Sequence, residues 1–244
     1  IQTYLRPMFT TEEIWCQLFS EPGSGSDLAS LSTKAVDDGD GFIVNGQKVW
    51  TTLGHLAKWG LIVTRTDPDV PKHRGLTFFI VDMESDGVDV RPLRQITGEA
   101  EFNEVYFTDV KIPKENILGS LGDGWRVSLA ILMNERVAIG GNVRERGSGA
   151  PGHLVQLWSD KELDDPVSRD KLIKLWIEQE AVRLTNVRAF ENREKGTPGP
   201  EGSTSKLYEA EINKASYEFG MEMLGNDALL FPRGYELTQP ELNF

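Results

Sequence analysis

The stretch Ser20-Glu21-Pro22-Gly23-Ser24-Gly25-Ser26-Asp27 carries the most information about the fold and chemistry of this chain. It concentrates glycines, hydroxyls and two carboxylates in one tight turn. Such a turn can direct backbone N–H groups and a serine hydroxyl towards a bound anion, typically a phosphate. Taken alone, the same residues are more typical of an ordinary surface loop, because glycine and serine dominate loops for conformational reasons.

A second segment, Trp50-Thr51-Thr52, follows about two dozen residues later, after a predicted hairpin. It sets an indole beside a pair of hydroxyls, a combination suited to stacking on a flat ring and hydrogen bonding to its heteroatoms. The alternative is structural: Trp50 would be a core residue of the sheet, and Thr52 would occupy an ordinary strand position.

Composition excludes several classes of protein. The chain has 244 residues and a net charge of -12, which argues against nucleic-acid binding because that function needs clustered positive charge. No apolar run approaches the ~20 residues of a membrane span. Cys16 is the single cysteine, so no internal disulfide can form, and His55, His73 and His153 lack metal-ligand spacing. We predict a cytoplasmic protein without a signal peptide, metal site or membrane span.

Strand signals extend from about Trp15 to Leu118. Short apolar runs are separated by Pro/Asp/Gly turns, without helical segments between them: Gly41–Trp50, Leu61–Thr64, Leu76–Val81 and Val105–Phe107. The Asn45-Gly46 pair inside the first run predicts a hairpin turn. This spacing of strands predicts an antiparallel barrel or sandwich.

Helical periodicity replaces the strand pattern from Gly122 onward. Predicted helices cover Trp125–Gly140, Asp170–Lys195 and Glu209–Leu224, and Gly196–Gly202 is a predicted loop. The fold class is therefore α+β and multi-domain, with an antiparallel β-barrel domain over residues 1–121 followed by an antiparallel helical bundle over residues 122–244.

Together, Ser20–Asp27 and Trp50–Thr52 resemble the flavin-binding signature of the acyl-CoA dehydrogenase family. The resemblance implies that the first domain is the middle β-barrel domain of that family and the second is most of its C-terminal helical domain. The family's N-terminal helical domain and last helices have no counterpart here, so the chain would be a fragment or would receive its missing parts from elsewhere.

The resemblance also implies FAD as cofactor, with contacts at Gln17, Phe19, Ser20, Ser26, Trp50 and Thr52. The first three would line the flavin ring. Ser26 would meet the FAD pyrophosphate or the nearby CoA arm, Trp50 would pack against the isoalloxazine, and Thr52 would hydrogen-bond the N5 side. The protein would orient the flavin, and the flavin would carry out the hydride chemistry.

The candidate catalytic base is Glu135, in the helix predicted at Trp125–Gly140. Apolar residues cover nearly every side of that helix, so we expect it to be buried, and burial would make Glu135 a stronger base. A structural glutamate paired across the bundle is the alternative. The segment Leu132–Arg136 resembles the Leu-x-x-Glu-Arg pattern of the isovaleryl and long-chain branches, which carry their base here. Other members carry it nearer the C-terminus, beyond Phe244.

Substrate contacts follow from the same resemblance, at Ser26, Met133 and Arg136. The implied activity is α,β-desaturation of an acyl-CoA by an oxidoreductase of lipid metabolism and fatty acid β-oxidation. Electron-transferring flavoprotein would be its redox partner, and the assembly a homo- or hetero-tetramer. An acyl-CoA oxidase-like flavoenzyme is one alternative.

A non-catalytic subunit of a heteromeric dehydrogenase is the other alternative. Two departures from the family pattern fit it, and they fit equally a divergent branch that lost both elements and still binds FAD. Ser159–Pro166 stands where the family has an Arg-x-x-Phe-Gly element, and Leu224–Ala228 replaces a Gly-Gly-x-Gly turn. Both family elements serve the FAD.

Overall fold

The chain divides into a strand-rich unit that ends at Ile131 and a helical unit that begins at Leu132. The structure is a computed structural model that describes residues 2–96, 98–140, 143–195 and 201–230, with side chains left out at 2–3, 136–140 and 202–203. In chain order its elements are α1 (Gln2–Phe9), β1 (Trp15–Leu18), β2 (Lys34–Asp37), β3 (Gly41–Thr52), β4 (Trp59–Arg65), β5 (Leu76–Asp82), β6 (Val88–Leu93), β7 (Phe102–Pro113), α2 (Gly124–Gly140), α3 (Ala150–Asp160), α4 (Pro166–Glu194) and α5 (Glu201–Leu224). The domain boundary placed at residue 121 from sequence stays a prediction.

Strands β1–β7 form one sheet in the order β1-β4-β2-β3-β7-β6, with β5 paired to β4. The change from strands to helices is as predicted, but the expectation of a purely antiparallel sheet is wrong. β1 runs parallel to β4, with Trp15 opposite Trp59, and Lys34 of β2 forms a parallel pair with Arg65 of β4. The strand pattern predicts strands but not their neighbours: β4 pairs with β5, the next strand in the chain, and also with β1 and β2, which are distant in sequence.

The Asn45-Gly46 pair does not form the predicted hairpin turn. β3 continues through it, and its register with β7 shifts between Val44 and Gly46. A Cβ at position 46 would lie 2.7 Å from Thr33 Cα, so glycine is required here by the close approach of the neighbouring backbone. The glycine therefore marks a β-bulge beside the chain that enters β2.

The core of the sheet comes from side chains on the inner faces of its strands. Those that are completely inaccessible to solvent include Leu18, Val44, Ile62, Phe79 and Val105. Burying one such side chain contributes about 1.5–3 kcal/mol. The solvent-facing positions of the same strands, such as Gln17 on β1, carry the candidate site.

Helix α2 begins at Gly124, against the backbone of Leu76 and Thr77. A Cβ at Gly124 would approach the Leu76 carbonyl carbon to 2.7 Å, so only glycine allows this packing. Thr77 Oγ1 accepts from the Gly122 amide at 3.0 Å. The prediction that α2 is buried on nearly every side is wrong for the described residues, because Leu129 and Met133 are exposed. The helix has more apolar side chains than the described residues cover.

The helical unit contains α3, α4 and α5. α4 begins at Pro166 with Asp165 as its cap, whose carboxylate accepts from the Ser168 amide at 2.7 Å. Lys171 pairs with Glu222, and Arg188 with Glu201, so α4 and α5 run antiparallel. The apolar centre joins Leu154, Leu172 and Phe219.

Three local predictions need correction. α1 and α3 were not expected, because each is short and α1 contains Pro7. α5 begins at Glu201, eight residues before the predicted start, so Glu201 and Gly202 are helical and not part of a loop. The rest of that predicted loop, residues 196–200, lies outside the described residues.

Candidate functional site

The turn predicted to face an anion is closed by its own backbone. The Glu21 amide donates to the Ser24 carbonyl at 2.8 Å, and the Ser24 amide returns a bond to the Glu21 carbonyl at 3.0 Å. The Ser24 hydroxyl is buried and donates to the Asp27 carbonyl at 2.8 Å. Ser26 is exposed, and no described residue hydrogen-bonds to its hydroxyl. Of Ser24 and Ser26, it is therefore Ser26 whose hydroxyl can meet a ligand.

The two carboxylates of the turn are both engaged by the protein. Asp27 accepts from Lys72 Nζ at 2.7 Å and from the Ser30 hydroxyl at 2.6 Å, and these bonds hold the pKa of Asp27 below its usual range. Glu21 points into the sheet, where it pairs with Lys48. An anion near Ser26 would therefore not meet an uncompensated carboxylate of this turn.

Basic residues surround the turn, and sequence reasoning missed them. Arg65 donates from Nη2 to the Ala29 carbonyl at 2.6 Å and from Nε to the Leu31 carbonyl at 3.2 Å, so it fixes the backbone that follows the turn. Lys72 reaches Asp27, and the ring of the adjacent His73 contacts Trp125 edge-to-face at 4.7 Å. The run Lys72-His73-Arg74 in an acidic chain was the sequence signal that could have drawn attention to Lys72.

The end of β3 presents Trp50 to solvent. Register with β7 shifts again between Lys48 and Thr51, and Trp50 adopts a left-handed conformation with φ of 59°. Such a conformation is uncommon for a bulky residue and turns the side chain out of the strand's alternation. Trp50 is 61% exposed, which excludes the alternative of a core residue, and its indole contacts Phe102 edge-to-face at 6.0 Å.

The hydroxyls beside Trp50 point in opposite directions. Thr51 is completely buried, whereas Thr52 is exposed. An exposed indole and an exposed hydroxyl two residues apart form an open edge against which a flat, heteroatom-rich ring can lie. The flavin contacts of Trp50 and Thr52 stay predictions.

The first predicted flavin segment lies beside this edge. The Val49 amide donates to the Ser20 carbonyl at 2.8 Å, which joins Ser20 to the residue before Trp50. Ser20 is half-buried and Gln17 is exposed. Phe19 is buried, and its ring packs edge-to-face on Phe78 at 5.6 Å. The Phe19 side chain therefore belongs to the core, and the segment offers a ligand its backbone and the Ser20 and Gln17 side chains.

A buried ion pair supports both segments from inside the sheet. Lys48 Nζ lies 2.9 Å from Glu21 Oε1 and also donates to the Phe19 carbonyl at 3.1 Å. Burial lowers the pKa of Lys48 to about 8 against the opposing effect of Glu21. Burial alone would raise the pKa of Glu21, but Lys48 and hydrogen bonds from Ser32 and Thr33 outweigh it and hold this pKa at about 2. Both groups are therefore charged near neutral pH.

The predicted base and two of the three predicted substrate contacts, Met133 and Arg136, lie on the second half of α2, in the helical unit. Met133 is 63% exposed. Glu135 is half-buried, and its Oε2 is inaccessible to solvent with no hydrogen-bond partner among the described residues. Arg136 continues the helix, but its side chain lies outside the described residues.

The residues that the structure describes offer neither a metal site nor a reactive thiol. They contain no cluster of His, Cys, Asp and Glu side chains able to hold a metal ion. None of their helices is long and apolar enough to cross a membrane. The Cys16 thiol is buried in the core, and this burial raises its pKa to about 12, so it is not a nucleophile at neutral pH.

Comparison with known proteins assigns both halves of the chain. The family model for the acyl-CoA dehydrogenase middle domain matches residues 16–110, and that for the acyl-CoA dehydrogenase C-terminal domain matches residues 122–239. Acyl-CoA dehydrogenase FadE34 of Mycobacterium tuberculosis is 42% identical over 236 residues, which are 94% of this chain and 32% of that protein. Acyl-CoA dehydrogenase IpdE1 of the same organism is 39% identical over 91% of this chain and 58% of its own length.

Solved structures agree with this assignment. The fold matches a chain of the ChsE4-ChsE5 complex from Mycobacterium tuberculosis with a TM-score of 0.81 and 29% identity, over 98% of this chain and 64% of the other. The chain thus spans only about a third to three fifths of the curated relatives' length. The two matched domains, in the family's order, show that the chain belongs to the acyl-CoA dehydrogenase family.

Proposed function

We propose that this chain is part of an FAD-dependent acyl-CoA dehydrogenase that desaturates an acyl-CoA thioester between its α and β carbons. Membership of the family supports the reaction class. The observation that carries the cofactor assignment is the exposed Trp50 in its left-handed bulge, beside the exposed Thr52 and joined to Ser20 through the Val49 amide.

Trp50 and Thr52 hold the ring system of the cofactor in this proposal. The open indole face of Trp50 stacks on the isoalloxazine, and the Thr52 hydroxyl donates a hydrogen bond to its N5 side. Ser20 and Gln17 line another part of the ring, to which Phe19 contributes only backbone. FAD, when bound, supplies the acceptor for the hydride that leaves the β carbon of the substrate.

Ser26 binds phosphate in this proposal, either the FAD pyrophosphate or the CoA arm. Its hydroxyl is exposed, and Lys72 neutralises the neighbouring Asp27. This compensation matters because a phosphate would otherwise be repelled by the turn's own charge. The nearby Arg65 fixes the loop on which the phosphate would rest.

Glu135 is the proposed base, which takes the proton from the α carbon of the acyl-CoA. Its Oε2 has no hydrogen-bond partner in the described part of the chain, so no described donor occupies that oxygen. A positioned general base contributes about 10²–10⁴ in rate. Met133 and Arg136 are the proposed CoA contacts on the same helix.

The proposed setting is cytoplasmic lipid metabolism, including fatty acid β-oxidation. Electron-transferring flavoprotein is the proposed electron acceptor. A homo- or hetero-tetramer is the proposed assembly, and the similarity to a chain of a complex between ChsE4 and ChsE5 favours a heteromer.

One other function has an observation in its favour. A non-catalytic subunit would explain why Ser159–Pro166 and Leu224–Ala228 replace two FAD-contacting elements of the family. Such a subunit would stabilise a catalytic paralogue without binding flavin.

The experiment is an absorbance spectrum of the purified full-length protein, followed by anaerobic mixing with acyl-CoA. The proposal expects the visible bands of oxidised flavin and their bleaching by substrate. Rapid reoxidation of the reduced protein by oxygen would instead indicate an oxidase. A colourless chain that copurifies with a yellow paralogue would establish the non-catalytic subunit.

A further inference from the structure

The two backbone segments of the proposed flavin edge come from separate parts of the chain. Phe19–Ser20 follows β1, whereas Trp50–Thr52 ends β3. Their direct backbone link is the bond from the Val49 amide to the Ser20 carbonyl at 2.8 Å. A single hydrogen bond leaves freedom for one segment to shift against the other, so a second restraint would improve the precision of the edge.

Lys48 supplies that second restraint. It lies on β3 two residues before Trp50, its side chain is 0% exposed, and its ammonium donates to the Phe19 carbonyl at 3.1 Å. The same ammonium pairs with Glu21 at 2.9 Å, one residue beyond Ser20. Lys48 therefore holds the first segment on both sides of Ser20, from the strand that carries Trp50.

Each carboxylate oxygen of Glu21 accepts two hydrogen bonds from the surrounding protein. Its Oε2 accepts from the Ser32 amide at 2.7 Å and the Ser32 hydroxyl at 2.8 Å, while Oε1 accepts from the Thr33 amide at 3.0 Å in addition to Lys48. Its carboxylate thus joins the turn, the entry to β2 and the end of β3. All three meet behind the proposed flavin edge.

Such a pair is not the simplest way to stabilise a core. Replacing a buried ion pair by apolar residues of similar volume is often neutral or stabilising, because desolvation of the charges offsets their attraction. What apolar residues do not provide is a set of directional bonds that fixes one backbone geometry. The bonds of Lys48 and Glu21 end on the backbone of Phe19, Ser32 and Thr33, which are the segments that need to be fixed.

We infer that Glu21 and Lys48 are positioning residues for the flavin edge, an inference that rests on the proposed function. Both side chains are buried, so neither contacts the cofactor. They hold the Ser20 segment and the Trp50–Thr52 bulge in one register, and they contribute no net charge to the site because they neutralise each other.

The test uses the full-length protein and separates positioning from stability. Lys48→Met leaves the Glu21 carboxylate buried without its cation, whereas Glu21→Gln with Lys48→Met removes both charges. The matched control is Lys58→Met, which removes a half-exposed lysine that pairs with Asp82 and Glu84 in the same unit. The readouts are thermal stability without FAD, the FAD dissociation constant from flavin fluorescence, and amide exchange at Val49 without FAD.

We expect the double variant to recover most of the stability that Lys48→Met loses, yet to bind FAD at least ~10-fold more weakly than wild type. Its Val49 amide should exchange at least ~10-fold faster, while the Ile62 amide in the core keeps its protection. Lys58→Met should match wild type in FAD binding and Val49 exchange. If Lys48→Met does not fold, the double variant carries the test. Glu21→Asp, which keeps both charges but withdraws the carboxylate by one methylene, should also weaken FAD binding.

Two results would overturn the inference, and they have different consequences for the proposed function. A stable double variant with wild-type FAD affinity and wild-type Val49 exchange would show that the pair is only structural, and the proposed function would stand. If wild type and Lys58→Met bind no FAD, the proposed function fails and the inference fails with it.

Discussion

The strand-rich unit and the helical unit bury their apolar residues to different degrees. The sheet encloses a core whose members, such as Ile62 and Phe79, are completely inaccessible to solvent, and it even encloses the charges of Glu21 and Lys48. In the described part of the helical unit, α4 keeps apolar side chains exposed: Ile173, Ile177, Leu184 and Phe190. The sheet buries its apolar side chains through its own contacts, whereas much of the apolar surface of α4 has no contact within the described part of this chain.

The largest expected effect is on the free energy of unfolding. A matched pair of truncations, one in each unit, should show different losses. Ile62→Ala should lower the free energy of unfolding by about 2–5 kcal/mol, because it leaves a cavity in a closed core. Ile177→Ala, at a site 59% exposed, should change it by less than about 0.5 kcal/mol. Denaturant titration of the isolated chain, followed by tryptophan fluorescence, measures both.

The same pair of variants can contradict this difference in packing between the sheet and α4. A loss above about 2 kcal/mol for Ile177→Ala in the isolated chain would mean that α4 is packed as tightly as the sheet. A loss in the full-length protein alone would show that the exposed face of α4 is covered there.

Acid should destabilise the strand-rich unit through Glu21. Its pKa is about 2 in the folded chain and 4.5 as the ordinary value, so between these pH values the unfolded chain binds a proton that the folded chain does not. Stability therefore falls as pH decreases from about 4.5 to about 2, by up to about 3 kcal/mol. Glu21→Gln should remove this part of the slope, although it also lowers stability at neutral pH by leaving Lys48 unpaired.

The measurement is the free energy of unfolding against pH for wild type and Glu21→Gln. Amide exchange in β4 and β5 reports the strand-rich unit, and exchange in α4 and α5 provides the internal control. An unchanged acid slope in β4 and β5 for the variant would contradict the assignment to Glu21.

Glu135→Gln tests whether the helical unit supplies catalysis as well as structure. If Glu135 is the base, flavin reduction by acyl-CoA should slow by at least ~100-fold, equivalent to about 2.7 kcal/mol, because the amide cannot accept the α proton. Substrate binding should remain nearly intact, since the amide keeps the shape of the carboxyl. Stopped-flow reduction of the full-length enzyme measures the rate, and Glu178→Gln on the exposed surface of α4 is the control.

A different outcome identifies a structural glutamate. Glu135→Gln would then be less stable but would reduce its flavin at nearly the wild-type rate. That result would place the base outside this chain, in the C-terminal segment that other family members use.

The sequence was sufficient to predict element types where one local signal dominates. The apolar pattern of Leu76–Val81 predicts the strand found as β5, and the amphipathic pattern of Asp170–Lys195 predicts most of α4. Neighbour relations could not be read in this way. The parallel pairing of β1 with β4 and the bulge at Gly46 depend on contacts between residues far apart in sequence.

The residues of the candidate site also differ in whether the sequence alone could identify them. Ser20, Ser26, Trp50 and Thr52 could be selected because they lie in a recognisable pattern, and their contacts with a flavin stay predictions. Lys48 could not be selected, since one lysine in a strand gives no sign of being buried. Its partner Glu21 was seen only as a charge in a turn, and the pairing becomes visible only when β3 lies beside that turn.

Thr52→Val carries the smallest expected effect and tests the open edge directly. Valine has nearly the shape of threonine, and the site is exposed, so the fold should be retained. Loss of the hydroxyl removes one hydrogen bond to the flavin, worth about 1 kcal/mol, which corresponds to a roughly 5-fold weaker FAD complex or a comparable shift in reduction potential.

Thr51→Val is the matched control, because Thr51 is buried and its hydroxyl has no hydrogen-bond partner among the described residues. Titration of the apoprotein with FAD and a redox titration measure the effect. Equal behaviour of the two variants would remove Thr52 from the flavin site, whereas a shift confined to Thr52→Val would show that the exposed end of β3 acts on the flavin independently of the core beneath it.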